Sequence, residues 1–153
     1  MLALLPALHA AEIGEPGQRF GFGFQAGVGG GLSLKFYATE RVAVSATAGF
    51  WGLLIRRQAL VAEVDVWERA FAKGTVVTTA GFGVAREYDG FWRDTTHLGV
   101  RMATGATWRW HGRGFEVGTE LGLELYNYDV GRLQFGELPT ATVVARWYPR
   151  WGG

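Results

Sequence analysis

Residues 115–126, FEVGTELGLELY, alternate between two chemistries with a period of two. Phe115, Val117, Thr119, Leu121, Leu123 and Leu125 share one parity, and Glu116, Gly118, Glu120, Gly122 and Glu124 share the other. A strand sends successive side chains to opposite faces, whereas a helix would scatter both sets around its circumference. The stretch therefore builds a sheet with one apolar face and one face of carboxylates and glycines. Alternation recurs along the chain and predicts eight strands: Arg19–Val28, Gly31–Tyr37, Val42–Gly52, Leu60–Phe71, Thr75–Glu87, Thr95–Trp110, Phe115–Tyr126 and Thr140–Tyr148.

The decisive question is which face meets water. Burying one large apolar side chain is worth roughly 1.5–3 kcal/mol, so an apolar face of this extent packs either inward or against lipid. An eight-stranded barrel is just wide enough for side chains to fill it. The Phe, Trp and Leu rows would overfill that space, whereas Gly, Ser, Thr and a few charges fit. The chain carries 24 glycines, clustered on the polar parity. On a solvent-facing strand they would only weaken the sheet; inside a narrow barrel they leave room for Arg and Glu. The reading is an all-β, eight-stranded, antiparallel up-and-down transmembrane barrel with its apolar face outward.

The connections fit that reading. ATER, AKG and HGRG are short, whereas LLIRRQA, YDGFWRDT and NYDVGRLQFGELP are longer. Outer-membrane barrels place short turns at one end and long loops at the other. Phe20, Phe36, Trp108, Trp110, Phe115 and Trp147 fall on the apolar parity at the short-turn end, the place of an interfacial aromatic girdle. If HGRG is a four-residue loop, Trp110 faces Phe115, Arg109 faces Glu116, Gly105 faces Glu120 and Arg101 faces Glu124. Lys35, Glu63, Asp65 and Arg146 share the polar parity and complete an expected luminal charge network that plugs the barrel. Opposite charges across strands attract, and the bland alternative is a set of surface pairs worth about 0–1 kcal/mol each.

At 153 residues one domain is expected: residues 1–11 as a signal-peptide remnant, 12–17 as a short segment, 18–149 as the barrel and 150–153 as a tail. Leu2–Leu8 followed by Ala10 and Ala11 matches the apolar and cleavage regions of an export signal, without the basic stretch before it. Net charge is +1, which gives no push toward nucleic acid. The absence of cysteine excludes disulfides and thiol chemistry.

With its alternating strands and charged tight turns, the chain resembles the small eight-stranded bacterial outer-membrane barrels of the OmpA/OmpX type. GLSLKFYATERVAVSATAGFW resembles their second hairpin, HLGVRMATGATWRWHGRGFEVGTELGLELY their sixth and seventh strands, and TATVVARWYP their closing strand. The resemblance implies a bacterial outer-membrane location, with membrane lipid and the barrel-insertion machinery as partners. It implies no particular job, because the fold hosts many.

Candidate chemistry is sparse, and no cofactor is expected. Glu116, Glu120 and Glu124 recur about 13 Å apart by strand rise, too far to share one metal ion. Ser33 or Ser45 with His97 and an acid could in principle make a nucleophilic triad, but no local histidine–serine motif accompanies them. The function expected is a non-enzymatic structural or scaffolding membrane component, presenting Arg56, Arg57, Phe91, Trp92 and Tyr128 from its loops to a protein partner. The alternative is a soluble, lipocalin-like ligand-binding barrel with the apolar rows inside; a lipid-modifying enzyme of the outer membrane is third.

Overall fold

A computed structural model describes residues 13, 17–27, 30–51, 54–89, 95–129, 132–135 and 140–150. The strands are β1 (Phe20–Gly27), β2 (Gly31–Tyr37), β3 (Val42–Trp51), β4 (Leu54–Phe71), β5 (Gly74–Asp89), β6 (Thr95–Trp110), β7 (Phe115–Asp129), β8 (Arg132–Phe135) and β9 (Thr140–Trp147). Neighbours in sequence pair antiparallel from β1 to β7. β9 then pairs with both β7 and β1, which closes an eight-stranded up-and-down barrel. β8 is a short return arm on the upper part of β7.

Tight turns fix the register at one end. In HGRG, Gly112 and Gly114 take positive φ values of 69° and 57°, a region that non-glycine residues rarely visit. The chain therefore reverses in four residues, Trp110 lands opposite Phe115, and Arg109 opposite Glu116. In ATER, the Thr39 hydroxyl accepts from the amides of Arg41 and Val42, at 3.3 and 3.0 Å.

Two elements depart from the sequence reading, β4 in two ways. β4 begins at Leu54 rather than Leu60, so most of LLIRRQA is strand, not loop. Its ladder to β5 continues through Gln58↔Arg86 and Arg57↔Glu87, which are held by polar pairs. The long seventh connection contains β8. β4 also carries a bulge between Asp65 and Trp67, which inserts one residue and reverses the parity beyond it. Trp67 and Phe71 thereby join Val66 on the exposed side.

The apolar rows point outward. Phe24, Phe82, Val84 and Leu98 are each at least 58% exposed, and Leu34, Leu60, Met102, Leu123 and Val143 are exposed beside them. The inward parity is buried and polar: Ser33, Lys35, Glu63, Asp65, Arg101, Arg109, Glu116, Glu120, Glu124 and Arg146. The cavity lined by Leu and Trp that a lipocalin-like barrel requires is therefore not built; those rows form the exterior. Where the chain enters the barrel at the short-turn end, Ile13 is buried against Tyr37, Ala43 and Tyr148.

Glycines position the charges. Gly21 lies directly across from Lys35, Gly23 from Arg146, Gly81 from Glu63, Gly83 from Arg101 and Gly105 from Glu120. Each long charged side chain thus has a neighbour with no side chain over which to lie. A Cβ on Gly23 would stand 1.8 Å from the Ala145 carbonyl oxygen, so the two strands must part to admit it. Gly23→Ala is expected to destabilise the barrel by about 1–3 kcal/mol, read from its urea midpoint. A stabilised variant, the usual result of removing glycine from a strand, would contradict that close approach.

Candidate functional site: a buried charge network across the lumen

The lumen is filled by two clusters, the first of them near the short-turn end. In the first, Arg146 from β9 is fully buried and reaches three ways. Its Nε donates to Ser33 Oγ at 2.8 Å, Nη1 to Glu116 Oε1 at 2.8 Å and Nη2 to Glu120 Oε1 at 2.6 Å. The sheet explains that reach. Glu116 is the direct cross-strand partner of Arg146 on β7, and Gly23 is its partner on β1. Because Gly23 has no side chain, the guanidinium passes over β1 to Ser33 on β2, itself paired with Gly23.

Glu116 is shared. Besides Arg146 it accepts from Arg109 Nε at 3.4 Å and from Tyr148 Oη at 2.9 Å. Arg109 makes its closer ion pair with Asp65 across the lumen, at 2.9 Å, and hydrogen-bonds Tyr37 Oη. Its guanidinium lies 5.2 Å from the Tyr37 ring centre, and Lys35 Nζ approaches the same ring at 5.1 Å, which are cation–π distances. Lys35 in turn pairs with Glu63 at 2.7 Å, and the Ser45 hydroxyl donates to the other oxygen of that carboxylate. Each of these buried ions thus has an opposite charge, and Arg146, Arg109, Glu116 and Glu63 have hydrogen bonds beyond a single ion pair, as ions held away from bulk water require.

The second cluster lies toward the loop end. Arg101 pairs with Glu124 and also reaches Thr140 Oγ1 at 3.4 Å. Tyr126 donates to Glu124 Oε2 at 2.6 Å. Above them, Arg57 turns into the barrel and meets Glu87 at 3.4 Å. Arg57 is therefore a luminal residue, not the loop contact expected from LLIRRQA. Arg56, next to it on β4, is part-exposed at the loop-end rim, 3.5 Å from Glu87. Phe91 and Trp92 lie outside the described residues, as does the side chain of Tyr128.

Sequence reasoning on charges alone misses Tyr37, Tyr126, Tyr148 and Glu87. All four are buried members or neighbours of the network, and the signal for Tyr37 and Glu87 is their odd parity, shared with Lys35 and Glu63. The serines are engaged: Ser33 accepts from Arg146 and Ser45 donates to Glu63. His97 is paired in the ladder with Glu87, and His111, in the HGRG turn, lies 2.9 Å from Thr75 Oγ1.

Of the six aromatics assigned to a girdle, five fall into two contact groups at the short-turn end. Trp110 packs on Phe115 at 5.5 Å and edge-on to Trp108 at 6.2 Å. Trp147 meets Phe22 edge-on at 5.5 Å, and Phe22 continues to Phe20 at 6.5 Å. Phe36 is exposed opposite Phe20, and Phe71, brought out by the bulge, packs on Trp108 at 5.6 Å. The arrangement can neutralise and seal a lumen and present an apolar wall. No protein-family model, curated protein or solved structure matches the chain.

Proposed function

We propose that the chain is an integral outer-membrane β-barrel with a plugged, charge-paired lumen, acting as a structural or scaffolding component that engages a protein partner at its loop end. The carrying observation is the inversion of the usual soluble arrangement. Large apolar side chains cover the outer wall while ionised groups occupy the interior. A soluble monomer rarely exposes more than a few hundred Å² of contiguous apolar surface, and this wall runs around the barrel. In lipid the same wall is favoured, and closure leaves no strand edge unpaired within the hydrocarbon.

The plugged lumen argues for a structural role over a substrate pore, because the Arg146, Arg109 and Lys35 clusters cross it near the short-turn end. The serines' engagement in ion-pair hydrogen bonds supports a non-enzymatic reading. The aromatic ring at the short-turn end supports an interfacial position. An alkaline carbonate wash of envelopes containing the expressed protein tests the assignment. Retention in the membrane pellet is expected, and release as a folded, soluble protein would overturn it.

A further inference from the structure

The two ends of the outer wall differ in chemistry. At the short-turn end it finishes in Trp and Phe; at the loop end, above β4 and β5, it finishes in Arg56, Gln58, Arg86 and Tyr88, which line a small cavity of about 270 Å³. Arg86 and Gln58 are cross-strand partners, two rungs above the apolar pair Leu60 and Val84 on the same face. Below them an open groove of about 990 Å³ runs over the outer wall. Ala46 and Ala48 of β3 form its floor, and Phe24, Leu32, Leu60 and Val84 stand around them. Glu87, one residue along β5 from Arg86, turns inward and is contacted by both Arg56 and Arg57.

We propose that this groove and rim bind one net-anionic, phosphate-bearing lipid of the loop-side leaflet, its phosphate held by Arg86 and Arg56 and an acyl chain laid along Ala46 and Ala48. The proposal rests on the membrane reading and deepens it by naming a ligand class. Guanidinium groups recognise phosphate through paired, charge-assisted hydrogen bonds. Arginines at the edge of an apolar wall extend their charged ends toward the headgroup level. The small floor residues leave space at chain depth directly beneath that charge, so headgroup and tail would be met by adjoining parts of one surface. A zwitterionic lipid would bring a cation of its own to a rim already rich in arginine.

The test uses the full chain folded in phosphatidylcholine nanodiscs. It is offered a lipid A bearing two phosphates, the same lipid with its phosphates removed, or inorganic phosphate, and bound lipid is counted by native mass spectrometry. One retained phosphorylated lipid per barrel is expected, bound at least about tenfold more tightly than its dephosphorylated form. Arg56→Gln with Arg86→Gln should abolish the preference, and Ala48→Phe, which fills the floor and leaves the rim intact, should weaken retention of both lipids. Equal retention of the two lipids overturns the proposal, as does wild-type binding by either variant. Saturable binding of inorganic phosphate with no lipid retained also overturns it. A wild-type protein released by carbonate would overturn the membrane reading first; a retained one without phosphate preference overturns only the lipid site.

Discussion

Replacing Arg146 by alanine is expected to lower the stability of the barrel by about 3–5 kcal/mol, the effect of leaving buried carboxylates without their counter-charge. Arg146 is fully buried and is the ion-pair partner of both Glu116 and Glu120. Its removal also frees Ser33 from the only bond described for its hydroxyl. Glu116 would keep Arg109 at 3.4 Å, but that arginine is closer to Asp65 and cannot replace three contacts. Arg146→Lys should recover part of the loss, because an ammonium supplies the charge without the planar fork that reaches three side chains on two strands. Arg146→Met combined with Glu116→Gln and Glu120→Gln should recover more, since a buried network can often be exchanged for neutral groups at little net cost. Urea unfolding of the protein in phospholipid vesicles, followed by tryptophan emission, measures all of these. A wild-type midpoint for Arg146→Ala would mean that the network contributes nothing to holding the barrel closed.

Met102→Arg tests the outer wall. Met102 sits mid-strand on β6 between Phe82 and Leu123, and it is exposed. On a soluble protein, an exposed methionine changed to arginine shifts stability by no more than about 0.5 kcal/mol. On a lipid-facing wall at mid-depth the same change costs about 2–4 kcal/mol, falling to about 0–1 near the interface. Leu98→Arg, on the same face of β6 but at the rung of Arg86, should therefore cost much less than Met102→Arg. The gradient is the informative quantity. Two equal and negligible costs would remove the membrane assignment, whereas two equal and large ones would place Leu98 deeper than the arginine rim allows.

The parts of this fold legible in the sequence are those that a two-residue period and a tight turn determine between them. In FEVGTELGLELY the parity separates wall from lumen, and the four-residue HGRG turn fixes which residues oppose which. The pairs Arg109–Glu116 and Arg101–Glu124 are consequently readable from the hairpin alone. The start of β4 is not, because Arg56, Arg57 and Gln58 are polar on both parities where the strand leaves the apolar band. The bulge leaves a faint trace: Val66 and Trp67 are consecutive large apolar residues, which strict alternation does not allow. Least legible is the sharing of Glu116 between Arg109 and Arg146. It depends on the register of β9 against β7, set across a long connection that contains β8, and against β1 at the far end of the chain. The glycines lie on the same parity as the charges, but that each stands beside a particular charge also emerges only once the rungs are known.

Arg146 belongs to the strand that completes the ring, and this couples assembly order to electrostatics. Until β9 docks, Glu116 and Glu120 on β7 lack their common cation, and Ser33 on β2 lacks its donor. Zipping the final seam delivers the missing positive charge to both sides of the gap at once. A sheet still lacking β9 therefore holds Glu120 without its cation and Glu116 with Arg109 alone. Closure of the ring and completion of the charge network are thus one event.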